Sequence, residues 1–187
     1  LTRSSRIIAG GRELPVALQL QALLRRATGF AFPIARSGHG ITFSTADLPV
    51  IVEFNRRLAL ETEAKVLEPA VLEAGVQIAL ADPERLRYWV AEVPGEAQPV
   101  GQAAITREWS DWRNGWIWWL QSVYVRAECR RGGVFRALFA HVVEQGRREG
   151  DVVMIRLYVE EENKTAQATY RGLGFEEMHF KLMGRGV

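Results

Sequence analysis

Residues 114–125 read NGWIWWLQSVYV. The run is rich in β-branched and aromatic side chains, so it favours a strand, and its aromatics fall on both faces of that strand. Trp116, Trp118 and their alternate neighbours are core candidates. Periodicity and breakers supply the elements around it. ITFST (41–45) reads as a short strand. Ser44, Thr45 or Asp47 can cap a helix over DLPVIVEFNRRLALETEAK, apolar at Leu48, Ile51, Val52, Phe54, Leu58 and Ala59. Pro69 suits the first turn of a second helix, PAVLEAGVQIAL, which ends before Asp82-Pro83. RYWVAEV and PVGQAAITREW read as a hairpin turned at Pro94-Gly95. After the aromatic strand come an Arg-Gly stretch, a helix stopped by Gly150, the strand VVMIRLYV, a short helix in NKTAQATYRGLGF and a last strand, FEEMHFKLM. The order β-α-α-β-β-β-α-β-α-β defines a mixed α/β (α+β) domain.

With 187 residues the chain is one domain of ordinary size. Net charge is +2, so nothing in the bulk charge asks for nucleic acid. Residues 1–40 carry six arginines and one acid. They form a basic extension, poorly ordered or part helical, before a domain at 41–187. Its Arg-rich, acid-poor composition resembles a transit peptide, but an appended or mis-called extension that contributes little is the plainer reading. The single cysteine, Cys129, excludes a disulfide framework and fits a reducing, cytoplasmic setting. His39, His141 and His179 are scattered and predict no metal. No apolar run reaches the roughly 20 residues of a spanning helix, so no membrane is expected.

The stretch Arg130-Arg131-Gly132-Gly133-Val134-Phe135 lies between a strand and a helix. A helix N-terminus has unpaired N–H groups and partial positive charge, and glycines before it let those groups form an anion nest. Arg136 adds charge nearby. A pyrophosphate is the natural guest; a glycine-rich turn with solvated arginines is the alternative. The Gly-Lys-Ser/Thr of a P-loop is missing, as is the third glycine of a dinucleotide fingerprint.

About 30 residues on, Asn163, Ala166 or Gln167, and Tyr170 share one helical face. Together the two motifs resemble the GNAT superfamily of acyl-CoA-dependent N-acyltransferases. Arg130 to Gly133 match the start of its R-x-x-G-x-G/A loop, and Asn163, Ala166, Tyr170, Gly174 and Phe175 match its N-x-x-A-x-x-x-Y-x-x-x-G-F run. The likeness covers about three quarters of the chain. It implies a mixed, mainly antiparallel twisted sheet of about six strands, split at its centre and flanked by about four helices. It also implies a co-substrate, acetyl-CoA, held by Val123, Tyr124, Val125, the loop from Arg130 to Arg136, Asn163, Ala166 and Tyr170. Phe135 departs from the pattern, which has a small residue there. Either its ring faces the core and leaves its N–H for the phosphate, or the loop is distorted.

The resemblance implies N-acetylation by direct attack in a ternary complex. Tyr170 matches the general acid that protonates the leaving thiolate, with plain packing as its other reading. N–H groups near Val123 and Val125 would polarise the thioester carbonyl. Arg131, Arg136 or Lys164 would meet phosphates or simply be solvated. The family often has a carboxylate base just before the strand's bulge; here stand Gln121 and Ser122. Glu108 is the leading candidate base, ahead of Asp111, Glu61 and Glu63. An acyl route through Cys129 has no visible base. Trp109 and Trp112, with Glu61, Glu63, Asp111 and Gln121, are expected to wall a pocket for a small-molecule amine, unless they are a packed loop. A peptide or protein acceptor, a non-catalytic acyl-CoA sensor and a structural interaction module are the competing readings. A homodimer is a further expectation.

Overall fold

In the computed structural model the described residues are 48–93 and 96–186, with the backbone of Ile7–Ile8 and Ile34–Ala35, which pair in parallel. The expected strand at 41–45 and the Pro94-Gly95 turn lie outside them, as does nearly all of the basic extension.

The elements are α1 (Leu48–Glu63), α2 (Pro69–Ala81), β1 (Arg87–Ala91), β2 (Gly101–Ser110), β3 (Gly115–Val125), α3 (Val134–Glu149), β4 (Val152–Leu157) and α4 (Lys164–Arg171). The sheet order is β1-β2-β3-β4. Pairings β1–β2 and β2–β3 are antiparallel; β4 returns through α3 and so pairs in parallel with β3. Side-chain alternation sorts the sheet into two faces. On one, Ala103, Ile105, Trp118 and Leu120 pack against Val134, Leu138 and Val142 of α3. On the other, Tyr88, Val90 and Ala104 pack against Ile51 of α1 and Val76, Ala79 and Leu80 of α2. This is why the β3 run is aromatic on both sides: Trp118 is fully buried under α3, while Trp119 belongs to the opposite face.

Two glycines have local reasons. Gly150 caps α3 at φ 84°, a left-handed conformation glycine adopts freely. A Cβ on Gly115 would lie 2.4 Å from Val153 Cγ1 and 2.7 Å from Asp151 O, so only glycine lets β3 start this close to the chain entering β4.

From α1 to α4 the element order matches expectation, but four strands form this sheet among the described residues, not six. The segment FEEMHFKLM forms no strand. Phe175 packs against Phe139 and Tyr170, and an ion pair between Arg171 and Glu177 draws the chain back toward α4 rather than along β4. Met178, Phe180, Leu182 and Met183 are left exposed.

Candidate active site

The centre of the sheet is opened by two irregularities at one level. Between Ala104↔Gln121 and Gln102↔Tyr124, two residues of β3, Ser122 and Val123, face one of β2, Ala103. This bulge places Ser122 at φ 50°. One residue earlier, β4 makes its last pairing, Leu120↔Leu157, while β3 runs on to Val125. The parallel strands part there, and a gap opens beside residues 121–125.

Ladder geometry decides which groups face the gap. Arg126 N donates to Val100 O at 2.9 Å, the bond that flanks a pair with none of its own, so Gly101/Val125 is the open pair and Gln102/Tyr124 the one bonded across β2 and β3. Val123 and Val125 therefore turn their N–H and C=O groups away from β2, toward the gap. Val125 O is taken by Arg130 Nε at 2.8 Å.

The Arg-Gly loop lies just beyond. Arg131 has φ 60° and Gly133, the residue before α3, has φ 85°. The first α3 amide with a backbone acceptor is Ala137 N, on Gly133 O at 3.0 Å. Among the described residues, the N–H groups of Val134, Phe135 and Arg136 have no backbone partner, and Arg131 and Arg136 no ion pair. Three aligned N–H groups with two unpaired cations beside them suit a phosphate.

Arg130 has a different task from the expected phosphate contact. Its guanidinium binds Glu61 and lies over the Tyr124 ring, 5.5 Å from the centroid. Tyr124 donates its hydroxyl to Glu61 Oε1 at 3.0 Å. Burial pulls the Glu61 carboxyl upward, but the bonds from Arg130 and Tyr124 outweigh it and hold it below the usual range. Burial, and then Glu61, push the Tyr124 phenol up.

Val134, not Phe135, is the first α3 side chain in the deep core. The Phe135 ring is half-buried and packs beside Phe139 and against Tyr170. Tyr170 stands edge-on to Phe135 (5.6 Å, 83°) and to Phe175 (5.7 Å, 68°). Its hydroxyl has no hydrogen bond among the described residues, and burial pushes its pKa up, so it holds its proton at neutral pH. Asn163 is the N-cap of α4, accepting Ala166 N at 3.0 Å. Lys164 is tied to Glu161 O. Burial pushes the Cys129 thiol up, away from the nucleophilic thiolate.

The predicted acceptor residues separate. Gln121 lies beside the gap on the α1 face, donating to Thr106 Oγ1 at 3.0 Å. Asp111 and Trp112 occupy the β2–β3 turn, seven residues along β3 from the bulge, roughly 20 Å away. Trp109 pairs with Trp116 on the α3 face. These three therefore cannot wall the gap, because the hairpin turn is at the other end of the sheet. Glu63 is exposed at the end of α1. Glu108 accepts Trp119 Nε1 at 2.6 Å and sits 3.7 Å from Arg156, so both its oxygens are engaged away from the bulge. The gap-side surface that sequence reasoning missed is Trp119 stacked on Tyr158 (4.5 Å, 18°), with Arg156 over Trp119.

The Acetyltransferase (GNAT) family model matches residues 53–175. The crystal structure of a possible acetyltransferase from Clostridium difficile 630 is 42% identical, with a TM-score of 0.71 over 77% of this chain and 93% of that one. A predicted acetyltransferase from Clostridium acetobutylicum, solved with acetyl-CoA, is 18% identical, with a TM-score of 0.64 over 76% and 92%. A transcriptional regulator from Bacillus halodurans C-125 has the same fold at 18% identity, with a TM-score of 0.63 over 76% and 95%. No curated protein matches the sequence. A strand split at a bulge, an arginine-flanked helix start beyond it and a family match across two thirds of the residues place this chain in the GNAT acetyltransferase family.

Proposed function

We propose that the protein transfers the acetyl group of acetyl-CoA to a primary amine of a small molecule by direct attack in a ternary complex. The observation that carries this reading is the gap between β3 and β4, with Val123 turned into it and the unpaired N–H groups of α3 just beyond. The first three amides of α3, with Arg131 and Arg136, would hold the pyrophosphate. The Val123 N–H would donate to the thioester oxygen as negative charge develops there. The amine nitrogen bonds to the carbonyl carbon, the C–S bond breaks, and the sulfur takes the Tyr170 hydroxyl proton. The amine gives one proton to solvent before attack, since only its neutral form is nucleophilic, and a second after it, and Tyr170 is reprotonated from water. The products are an acetamide and the free thiol of CoA. Because both Glu108 oxygens are engaged, we assign it to shaping the acceptor surface with Trp119 and Arg156 rather than to proton abstraction. Gln121, Thr106 and Tyr158 complete that surface. Glu61, paired with Arg130 and accepting from Tyr124, would shape the α1 side of the site rather than meet the acceptor.

The test is calorimetric titration with CoA and acetyl-CoA, then a thiol-release screen over small amines, amino acids and peptide N-termini. Micromolar binding with turnover on a small amine supports the proposal. Binding without turnover on any amine marks a sensor, turnover on peptides alone moves the acceptor class, and no binding defeats the reading outright.

A further inference from the structure

Two polar side chains, Gln102 and Asn55, are buried in the largely apolar layer between α1 and the sheet. Gln102 is fully buried, in a strand whose neighbours are Gly101, Ala103, Ala104 and Ile105. Its Nε2 donates to Asn55 Oδ1 at 2.7 Å and to Ser122 O at 3.0 Å. Asn55, also buried, donates its Nδ2 to the Tyr88 hydroxyl at 3.1 Å. Gln102 Oε1 is buried without a partner among the described residues, so the side chain is held wholly through its amide nitrogen. A buried amide with one end unsatisfied is costly and needs a reason.

The reason lies in what the nitrogen holds. Ser122 is the bulged residue, at φ 50°, where a β-strand side chain is rarely found. Its carbonyl has left the ladder and is claimed by Gln102. In a trans peptide the carbonyl of one residue and the N–H of the next point in opposite directions. Fixing Ser122 O toward Gln102 therefore fixes Val123 N–H away from it, toward the gap. We propose that Gln102, set by Asn55 and Tyr88, is a positioning residue that aims the Val123 N–H at the thioester carbonyl. This rests on the acetyl-transfer reading above and adds a residue that touches neither substrate.

The test compares wild type with Gln102→Met, which keeps the length and removes the donor, and with Gln102→Glu. Oxyanion donors contribute about 10²–10³ in kcat, so a misaimed one should cost on the order of tenfold or more. For Gln102→Met the expectation is that loss in kcat, with the KM for acetyl-CoA and the Kd for CoA within about threefold. Gln102→Glu distinguishes aim from packing. Burial raises its carboxyl pKa, and only the protonated acid can donate to Ser122 O. Its kcat should recover as pH falls, where that of wild type does not. The other titratable groups facing this position, the Tyr88 and Tyr124 phenols, are both pushed up by burial and do not change charge there.

Should either variant fold poorly, Tyr88→Phe removes the acceptor of Asn55 Nδ2 and should give a smaller kcat loss of the same pattern. An amide NMR spectrum adds a readout without turnover: the Val123 signal of wild type should shift with acetyl-CoA more than with CoA, and that difference should vanish in Gln102→Met. Unchanged kcat in Gln102→Met, or parallel loss of kcat and CoA affinity, overturns the role of Gln102. Failure of wild type to bind acetyl-CoA overturns the acetyl-transfer reading instead.

Discussion

Replacing Tyr170 by Phe removes one oxygen and leaves the ring. Both recorded contacts of that ring, at 5.6 Å on Phe135 and 5.7 Å on Phe175, belong to its edges and faces. The hydroxyl makes no hydrogen bond among the described residues, so nothing in the packing depends on it. Stability should therefore change by no more than about 0.5 kcal/mol. CoA affinity should be equally indifferent. Turnover should not be, because the thiolate would leave without a proton donor. Loss of a positioned general acid lowers the rate by about 10²–10⁴, which at 1.36 kcal/mol per tenfold is about 3–5 kcal/mol of barrier. The assay is steady-state thiol release at saturating amine, with a melting curve and a CoA titration on the same sample. The alkaline limb adds a signed check. Burial raises the folded-state pKa of Tyr170 above its unfolded value near 10. Its stability contribution is thus complete below that value and is lost as pH rises through the folded one. The wild type should lose stability there more steeply than the variant. A kcat within threefold of wild type, or a kcat loss accompanied by a collapse in melting temperature, would refute the acid role.

Gly133→Glu places a side chain at φ 85° and a carboxylate beside the unpaired α3 amides. It should cost about 1–2 kcal/mol of stability and, by calorimetry, at least about tenfold in CoA affinity; unchanged affinity removes the cradle. Gly115→Ala drives a methyl into Val153 and the Asp151 carbonyl, and should cost about 1–3 kcal/mol in urea unfolding, since backbone must move. Hydrogen bonds from Arg56 and Arg57 hold Glu53 at about 2. That depressed value means its stabilisation is present above the unfolded pKa near 4.5 and fades as pH falls toward 2. The melting difference between wild type and Glu53→Gln should be small, because the group is exposed, and should close on acidification; a difference constant with pH would count against the pairing. The two carboxylates of the candidate site, Glu61 and Glu108, are both paired, so kcat/KM should rise with pH along the acceptor amine's own titration. An acid limb that stays fixed when the amine's pKa is changed would reveal a protein base.

What could be read beforehand was whatever depends on near neighbours in sequence. Helix periodicity located α1 to α4, Gly150 stopped α3, and the resemblance put the bulge beside Gln121 and Ser122. Tyr170 and Phe135 were singled out separately and meet in space. The failures are long-range. Charge beside glycines, as at Arg130, is a local pattern, whereas the ion-pair partner of Arg130, Glu61, is 69 residues away. Gln102 went unnoticed, although one amide in an apolar strand is itself a signal that something buried must receive it. Trp109, Asp111 and Trp112 were misplaced for a different reason. Proximity to the aromatic strand was taken as proximity to the site, whereas counting seven residues from the bulge to the turn puts them at the other end of the sheet.

The two long-range contacts that sequence reasoning missed solve one mechanical problem. A strand abandoned by its neighbour has unpaired backbone on that side, and nothing in β3 itself would keep residues 122–125 in one conformation. Gln102 holds the carbonyl at Ser122 and Arg130 holds the one at Val125. Both braces run back to α1, through Asn55 and Glu61. Six helical residues span about 9 Å, and the three strand residues between the held carbonyls span about 10 Å. One helix thus carries two anchors at the spacing the unpaired segment needs. Gln102 grips Ser122 from the β2 side and Arg130 takes the gap-side carbonyl at Val125, which leaves the stretch beside Val123 open. Val123, between the two held carbonyls, keeps its own N–H turned toward that open side. The departure of β4 provides the gap, and α1 replaces the rigidity lost with it.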